Sequence, residues 1–196
     1  GALVYINDVE GKITKINLTN MTVDGDGTSI DLYDKTTIMS LNSNGENGRY
    51  MFHSLEASIG GDTGNLWLYG GTGNYLNLND GGIEFPDKVS NVLMGIKDKD
   101  FPNFKIVGGA SGINDLTDCK DTTGTTIADD CPDSADLGWY IKLDPNSPTK
   151  STRTKVTAEP TIFRGVVYYP IYKPADINSC KLGEASICAA DDECGT

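Results

Sequence analysis

The chain has little of the chemistry that most enzyme active sites need. It contains one histidine, His53, among 196 residues, and this excludes a metal site built from several imidazoles. The next residue, Ser54, would point to the opposite face of an extended strand, and no Gly-x-Ser-x-Gly turn presents another nucleophile. We therefore interpret His53 as a structural residue and predict that the chain is not an enzyme.

Basic residues and long apolar runs are also scarce. Sixteen Lys and Arg stand against 28 Asp and Glu, for a net charge of −12, and the basic residues form no cluster. Nucleic acid is excluded as a partner, because binding it depends on Lys and Arg neutralising phosphates. No apolar stretch approaches the ~18 residues that span a membrane, and no window has helical periodicity.

Short apolar segments alternate with glycine and aspartate turns along the chain. Leu66 to Tyr69 is followed by Gly70 to Gly73, and an extended segment begins again at Tyr75. Glycine supplies the positive φ angles of sharp turns, and short strands joined in this way build propeller blades. We predict an all-β, single domain over residues 1–196, a partial β-propeller of about four blades. Residues 161–172 are predicted as one strand, and Pro170 and Pro174 indicate that it ends at a sheet edge.

The five cysteines suggest disulfides, because their spacings match no zinc motif. Residues 108–137 are poor in apolar side chains, and we predict a long surface loop closed by a Cys119–Cys131 disulfide. Cys180 and Cys194 flank a short predicted strand, and we favour their pairing, with Cys188 in the strand remaining a thiol. The alternative is a Cys188–Cys194 disulfide that leaves Cys180 for a partner elsewhere.

Two further groups of residues have a functional and a structural interpretation. Asp24 and Asp26 are weak calcium candidates, but glycine is not at the sixth position of an EF-type loop and Lys35 occupies the twelfth. We interpret them as turn residues and predict no metal site. Trp67 and Trp139 could form a platform for sugar rings, and we interpret them instead as core residues.

Four segments of the chain, in order, resemble the sequence of a known family. They are Tyr5 through Leu18; Gly71-Thr72-Gly73-Asn74-Tyr75-Leu76; Met94-Gly95-Ile96-Lys97-Asp98; and Gly138-Trp139-Tyr140 with Leu143, Arg153, Val156, Pro160, Ile162, Gly165 and Val167. These segments resemble the C-terminal β-propeller domain of the PilY family, the large surface proteins of type IV pilus machines. One departure is Thr152-Arg153, where the family has Glu-Arg, and another is Asn7, where glycine is usual.

This resemblance implies a non-enzymatic surface component of a type IV pilus, located outside the cell and active in pilus assembly, adhesion or twitching motility. Its implied partners are minor pilins, the rest of a parent chain, and a host or surface ligand. The family's calcium loop would lie upstream of Gly1, so we expect no cofactor in this chain. A complete family propeller has more blades, so we expect a fragment. The alternatives are a pyrroloquinoline quinone dehydrogenase fragment, whose repeated signature is absent, and an extracellular carbohydrate-binding module.

Overall fold

The computed structural model describes residues 2–19, 22–23, 27, 29–42, 49–76, 90–119, 132–133, 135–144, 153–175 and 181–195. Within these ranges the fold is all-β, as predicted, with one 3-10 turn at Ile113–Asp115. The strands are β1 (Leu3–Asn7), β2 (Lys12–Asn17), β3 (Thr22–Val23), β4 (Ser29–Ile30), β5 (Lys35–Ser40), β6 (Glu56–Ile59), β7 (Leu66–Gly71), β8 (Val92–Asp98), β9 (Thr117–Asp118), β10 (Gly138–Lys142), β11 (Lys155–Val156), β12 (Thr161–Phe163), β13 (Val166–Lys173) and β14 (Glu184–Asp191).

The strands form four sheets. The first has the order β1-β2-β5 and is antiparallel, with a register shift between Ile13 and Thr14 of β2. Strands β3 and β4 form a small two-stranded sheet. The described sheets do not form a closed ring, so the partial propeller stays a proposal.

The central sheet has the order β6-β7-β8-β10-β9, and only the β9–β10 pair is parallel. All of β7 and β8 is buried, which explains why β7 and the first five residues of β8 read as continuous apolar runs rather than alternating ones. Alternate residues supply two separate cores. Leu68 and Met94 belong to one, while Trp67, Leu93 and Trp139 belong to the other.

The last sheet corrects the prediction of a single strand over residues 161–172. The chain turns at Arg164 and Gly165, both with positive φ, so β12 and β13 form a hairpin. Pro170 is not at an edge, because β13 pairs with β14 on one side and with β11 and β12 on the other. Proline is accommodated there because its position falls between β11 and β12, where no strand residue requires its missing N–H.

The described part of the predicted loop 108–137 makes ordered contacts at several points. Ser111 forms a bridge with Met39, and β9 adds to the central sheet beside β10. Leu116 and Cys119 are buried. The segment therefore contributes core residues, which its polar composition had hidden.

Candidate functional site

The Gly71-Thr72-Gly73 turn holds three strands together. Thr72 is fully buried, and it exchanges backbone and side-chain hydrogen bonds with Val92: Thr72 N donates to Val92 O at 2.9 Å, and Val92 N donates to Thr72 Oγ1 at 2.9 Å. The Thr72 hydroxyl donates to Asn91 Oδ1 at 3.2 Å. Val156 N of β11 donates to Thr72 O at 3.2 Å. A single threonine thus connects the central sheet to the last sheet.

Both flanking glycines are required by close contacts in this turn. A Cβ on Gly71 would lie 2.5 Å from Val156 Cγ2, and one on Gly73 would lie 2.7 Å from Lys155 Cβ. Gly73 also has a backbone φ angle of +150°, which residues other than glycine rarely adopt. These distances give a physical reason for the Gly-Thr-Gly pattern in the sequence.

A buried ion cluster of Tyr5, Lys15 and Asp98 joins the first sheet to the end of β8. Lys15 Nζ lies 2.6 Å from Asp98 Oδ2, and their side chains are 1% and 3% exposed. Tyr5 donates its hydroxyl to the same carboxylate oxygen, and Lys15 also donates to Asn103 O at 2.6 Å. Burial raises the pKa of Tyr5, and the neighbouring Asp98 raises it further. The cluster therefore connects the first sheet to the central sheet through buried side chains.

The turn at residues 191–195 connects the last sheet to the central sheet. Trp139 Nε1 donates to Asp192 O at 2.9 Å, and the Glu193 carboxylate accepts hydrogen bonds from the N–H groups of Asp62, at 2.7 Å, and Thr63, at 3.2 Å. A Cβ on Gly195 would lie 2.6 Å from Trp139 Cδ2. Burial, and then the charges of Asp191 and Glu193, raise the pKa of Asp192.

His53 lies in an aromatic cluster. Its ring centroid is 4.7 Å from that of Tyr75, and among the described residues its Nε2 is buried without a hydrogen-bond partner. Burial lowers the pKa of His53, partly offset by the charge of Glu159. Ser54, the next residue, donates its hydroxyl to Glu159 at 2.7 Å rather than to His53.

Two of the described cysteines are thiols: Cys188, as predicted, and Cys119, which was predicted to form a disulfide. Cys119 is a buried thiol whose Sγ donates to Cys194 O at 3.0 Å, and burial raises its pKa to about 12. The prediction of a Cys119–Cys131 disulfide is therefore corrected at Cys119, which is a thiol because the segment after β9 carries it into the core. Cys131 lies outside the described residues.

Cys194 is in a disulfide, and Cys188 keeps its thiol. The alternative Cys188–Cys194 pairing is therefore absent. The favoured partner of Cys194 was Cys180, which lies outside the described residues, and that pairing stays a prediction.

The remaining predicted site residues divide between the core and the undescribed segments. Trp67 and Trp139 are 1% and 0% exposed, so neither offers a face to a sugar ring. Asp24 and Asp26 lie outside the described residues. Elsewhere, the described residues include no group of three or more His, Cys, Asp or Glu that could hold a metal ion.

The buried ion cluster was missed in the sequence, although a signal for it exists. Ile13, Lys15 and Asn17 alternate along β2, and all three are buried. A lysine on the apolar face of an alternating strand indicates a buried charge that needs a partner. The identity of the partner, Asp98, depends on packing between sheets and had no local signal.

No protein-family model and no curated protein sequence matches the chain. Its fold is similar to that in the crystal structure of the Pseudomonas aeruginosa PilY1 C-terminal domain, with a TM-score of 0.59 and 12% sequence identity. The likeness is one of fold. It covers 97% of this chain and 43% of that one, so this chain spans less than half of the length of its structural neighbour.

No described helix is long and apolar enough to cross a membrane.

Proposed function

We propose that this chain is a non-enzymatic surface component of a type IV pilus system. The observation that carries the proposal is the fold likeness to the PilY1 C-terminal domain over 97% of the chain. The motifs that resemble the PilY family support it, because the Gly71-Thr72-Gly73 turn and Trp139 lie at the contacts between sheets. A motif that specifies how sheets join is tied to this fold more closely than an isolated glycine turn.

The proposed role is in pilus assembly, adhesion or twitching motility, outside the cell, with minor pilins or the rest of a parent chain as partners. A scaffold of this kind presents loops on rigid sheets. The three connections between sheets, at Thr72, at the buried ion cluster and at the 191–195 turn, would keep such a scaffold intact. We also propose that the chain needs no cofactor and that its sheets are part of a β-propeller.

Deletion of the coding segment in the organism that encodes it tests the pilus role. We expect fewer surface pili in the sheared fraction and smaller twitching zones, both restored by expression of the intact gene in trans. Unchanged piliation and twitching in the deletion strain would contradict the proposal.

A separate assay tests the absence of enzyme activity. The purified protein should show neither the absorbance of a bound quinone nor dye-linked dehydrogenase activity when calcium and pyrroloquinoline quinone are supplied. Turnover that follows addition of the quinone would favour the dehydrogenase alternative.

A further inference from the structure

Strand β14 forms an edge of the last sheet. It pairs with β13 along its whole length, from Glu184 to Asp191, and no other described strand pairs with its second edge. Most of its side chains are exposed, and Ile187 is 69% exposed. A long strand of the fold therefore presents one row of backbone groups outward.

The hydrogen bonds of Pro170 identify which backbone groups face outward. Pro170 lies opposite Ile187, and its carbonyl accepts a hydrogen bond from Thr157 N at 3.0 Å, on the side away from β14. Opposite residues of an antiparallel ladder exchange both hydrogen bonds or neither. Ile187 therefore directs its N–H and C=O away from β13, and the alternation of the ladder gives Ala185 and Ala189 the same direction.

The sequence of β14 carries none of the usual protection of an edge strand. Natural edge strands are commonly blocked by lysine, proline or a β-bulge. Between Glu184 and Asp191 the strand reads Ala-Ser-Ile-Cys-Ala-Ala, without charge or proline, and its register with β13 has no shift. Nothing in the strand itself prevents another strand from adding to this edge.

The charges at the two ends of β14 favour one class of partner. Because Ala185, Ile187 and Ala189 direct their backbone groups outward, a second copy that paired antiparallel about Cys188 would place Glu184 of each copy opposite Asp192 of the other. Like charges directly opposite each other destabilise a sheet. At the Asp191 end, two more acidic residues, Asp192 and Glu193, follow directly. At the Glu184 end, the cross-strand neighbour Lys173 lies 3.8 Å from Asp144, so its positive charge is divided between Asp144 and Glu184. Lys or Arg at both ends of an incoming strand would be attracted.

We propose that β14 is a docking edge for an extended strand of another protein, with an uncharged, β-branched centre and a basic residue at each end. The N–H and C=O groups of Ala185, Ile187 and Ala189 supply the backbone hydrogen bonds of strand addition. The acidic ends select the partner and set its register. This inference does not depend on the pilus assignment.

A direct test uses the full chain and two labelled peptides. The first is fluorescein-Lys-Thr-Val-Thr-Val-Thr-Val-Lys, eight residues long to match Glu184–Asp191, and the second has Glu in place of both Lys. We expect fluorescence anisotropy to show saturable binding of the first peptide. Changing two cross-strand attractions of about 0.2–1 kcal/mol each into repulsions of similar size predicts that the second binds about fourfold or more weakly. The difference between the peptides should shrink at high salt.

Variants at one position separate edge pairing from general surface contact. Ile187→Pro removes only an outward N–H, because the bonds to β13 come from the neighbouring residues, and it should weaken binding of the Lys peptide about tenfold or more. Ile187→Thr keeps the N–H and the β propensity, and it should bind as the wild type does.

A charge reversal tests selection of the partner by the acidic ends. Glu184→Lys should reduce the preference for the Lys peptide over the Glu peptide, whereas the control Glu10→Lys, in the turn between β1 and β2, should leave that preference unchanged.

Backbone amide exchange gives a readout that does not need a variant to fold. In the wild type, peptide binding should slow exchange at Ala185, Ile187 and Ala189. Absence of binding at millimolar Lys peptide, or binding without this protection, would overturn the proposal. A wild-type dimer that Ile187→Pro makes monomeric would also overturn it, because the occupant would then be a second copy.

Discussion

Glu193 and Asp62 are separated by 131 positions, and the Glu193 carboxylate accepts the Asp62 N–H at 2.7 Å. The same carboxylate accepts a hydrogen bond from Thr63 N. One side chain of the 191–195 turn therefore pairs with two backbone N–H groups of the turn that follows β6. Gly60 leaves the space for this contact, since a Cβ there would lie 2.5 Å from Glu193 Cδ. The contact joins the two sheets that contain β6 and β14.

Loss of this carboxylate should destabilise the protein moderately. Glu193→Ala removes charge-assisted hydrogen bonds in a partly exposed site, and we expect the free energy of unfolding to fall by about 1 kcal/mol. Asp62→Ala is the matched control, because only the backbone N–H of Asp62 takes part and it is retained. Urea denaturation monitored by tryptophan fluorescence measures both. An equal loss in the two variants would show that the carboxylate contributes nothing specific.

The buried ion cluster should be far more sensitive than an exposed ion pair. Lys15→Met leaves the Asp98 carboxylate buried without its cation, and we expect a loss of about 3–5 kcal/mol. Lys12→Met is the control, because its partner Glu10 is exposed and ion pairs between exposed side chains contribute little to stability. Chemical denaturation compares the two. Similar small losses would contradict a structural role for the cluster.

The Gly-Thr-Gly turn predicts a graded series of substitutions. Gly71→Ala should destabilise by about 1–3 kcal/mol, because its Cβ overlaps Val156 in a packed core, while Gly61→Ala should be nearly neutral, since nothing lies within 4 Å of its Cβ position. Thr72→Val removes the hydroxyl that bonds Asn91 and Val92 and should cost about 1–3 kcal/mol. Thr72→Ser should recover most of that loss. Thermal unfolding of the four variants measures the series, and a neutral Gly71→Ala would contradict it.

The extent to which the sequence predicted this fold follows from the range of each interaction. The β class and the β1–β2 hairpin were predictable, because alternation and glycine turns are local signals. The β12–β13 hairpin was missed because its turn is Arg164-Gly165, where one glycine follows a residue that rarely adopts positive φ. Pro170 led to a wrong prediction of a sheet edge, because its actual position opposite the gap between β11 and β12 depends on strand pairing that a local sequence signal does not report.

The candidate site was less predictable than the fold. The Gly71-Thr72-Gly73 pattern was visible, but its function in joining β7, β8 and β11 depends on Val156, far along the chain. Cys119 was predicted in a polar loop, yet β9 carries it beside β10 and into the core. Pairing between distant strands decides such positions, and composition over a short window does not report it.

The pKa of His53 predicts a stability that depends on pH. Burial lowers that pKa in the folded state, so the unfolded chain binds the proton more tightly. The stability contributed by this difference is present above the unfolded pKa of about 6.5 and is lost as pH falls from there through the lower pKa of the folded state. His53→Gln should remove that part of the slope between pH 7.5 and 5.5. Urea denaturation across this range measures it, and an unchanged slope in the variant would contradict the assignment.

The cysteines predict a labelling pattern that decides the open pairings. Burial raises the pKa of Cys119 to about 12, so iodoacetamide at pH 8 should leave it unlabelled in the native protein whether it is a thiol or a disulfide. Unfolding without reductant separates the two states, because only a thiol then becomes labelled. Because Cys119 is a thiol in the structure, it should then become labelled. Non-reducing peptide mapping should join Cys180 to Cys194 and show label on Cys188. A peptide joining Cys119 to Cys131 would contradict the thiol at Cys119, and a peptide joining Cys188 to Cys194 would contradict the Cys180–Cys194 pairing.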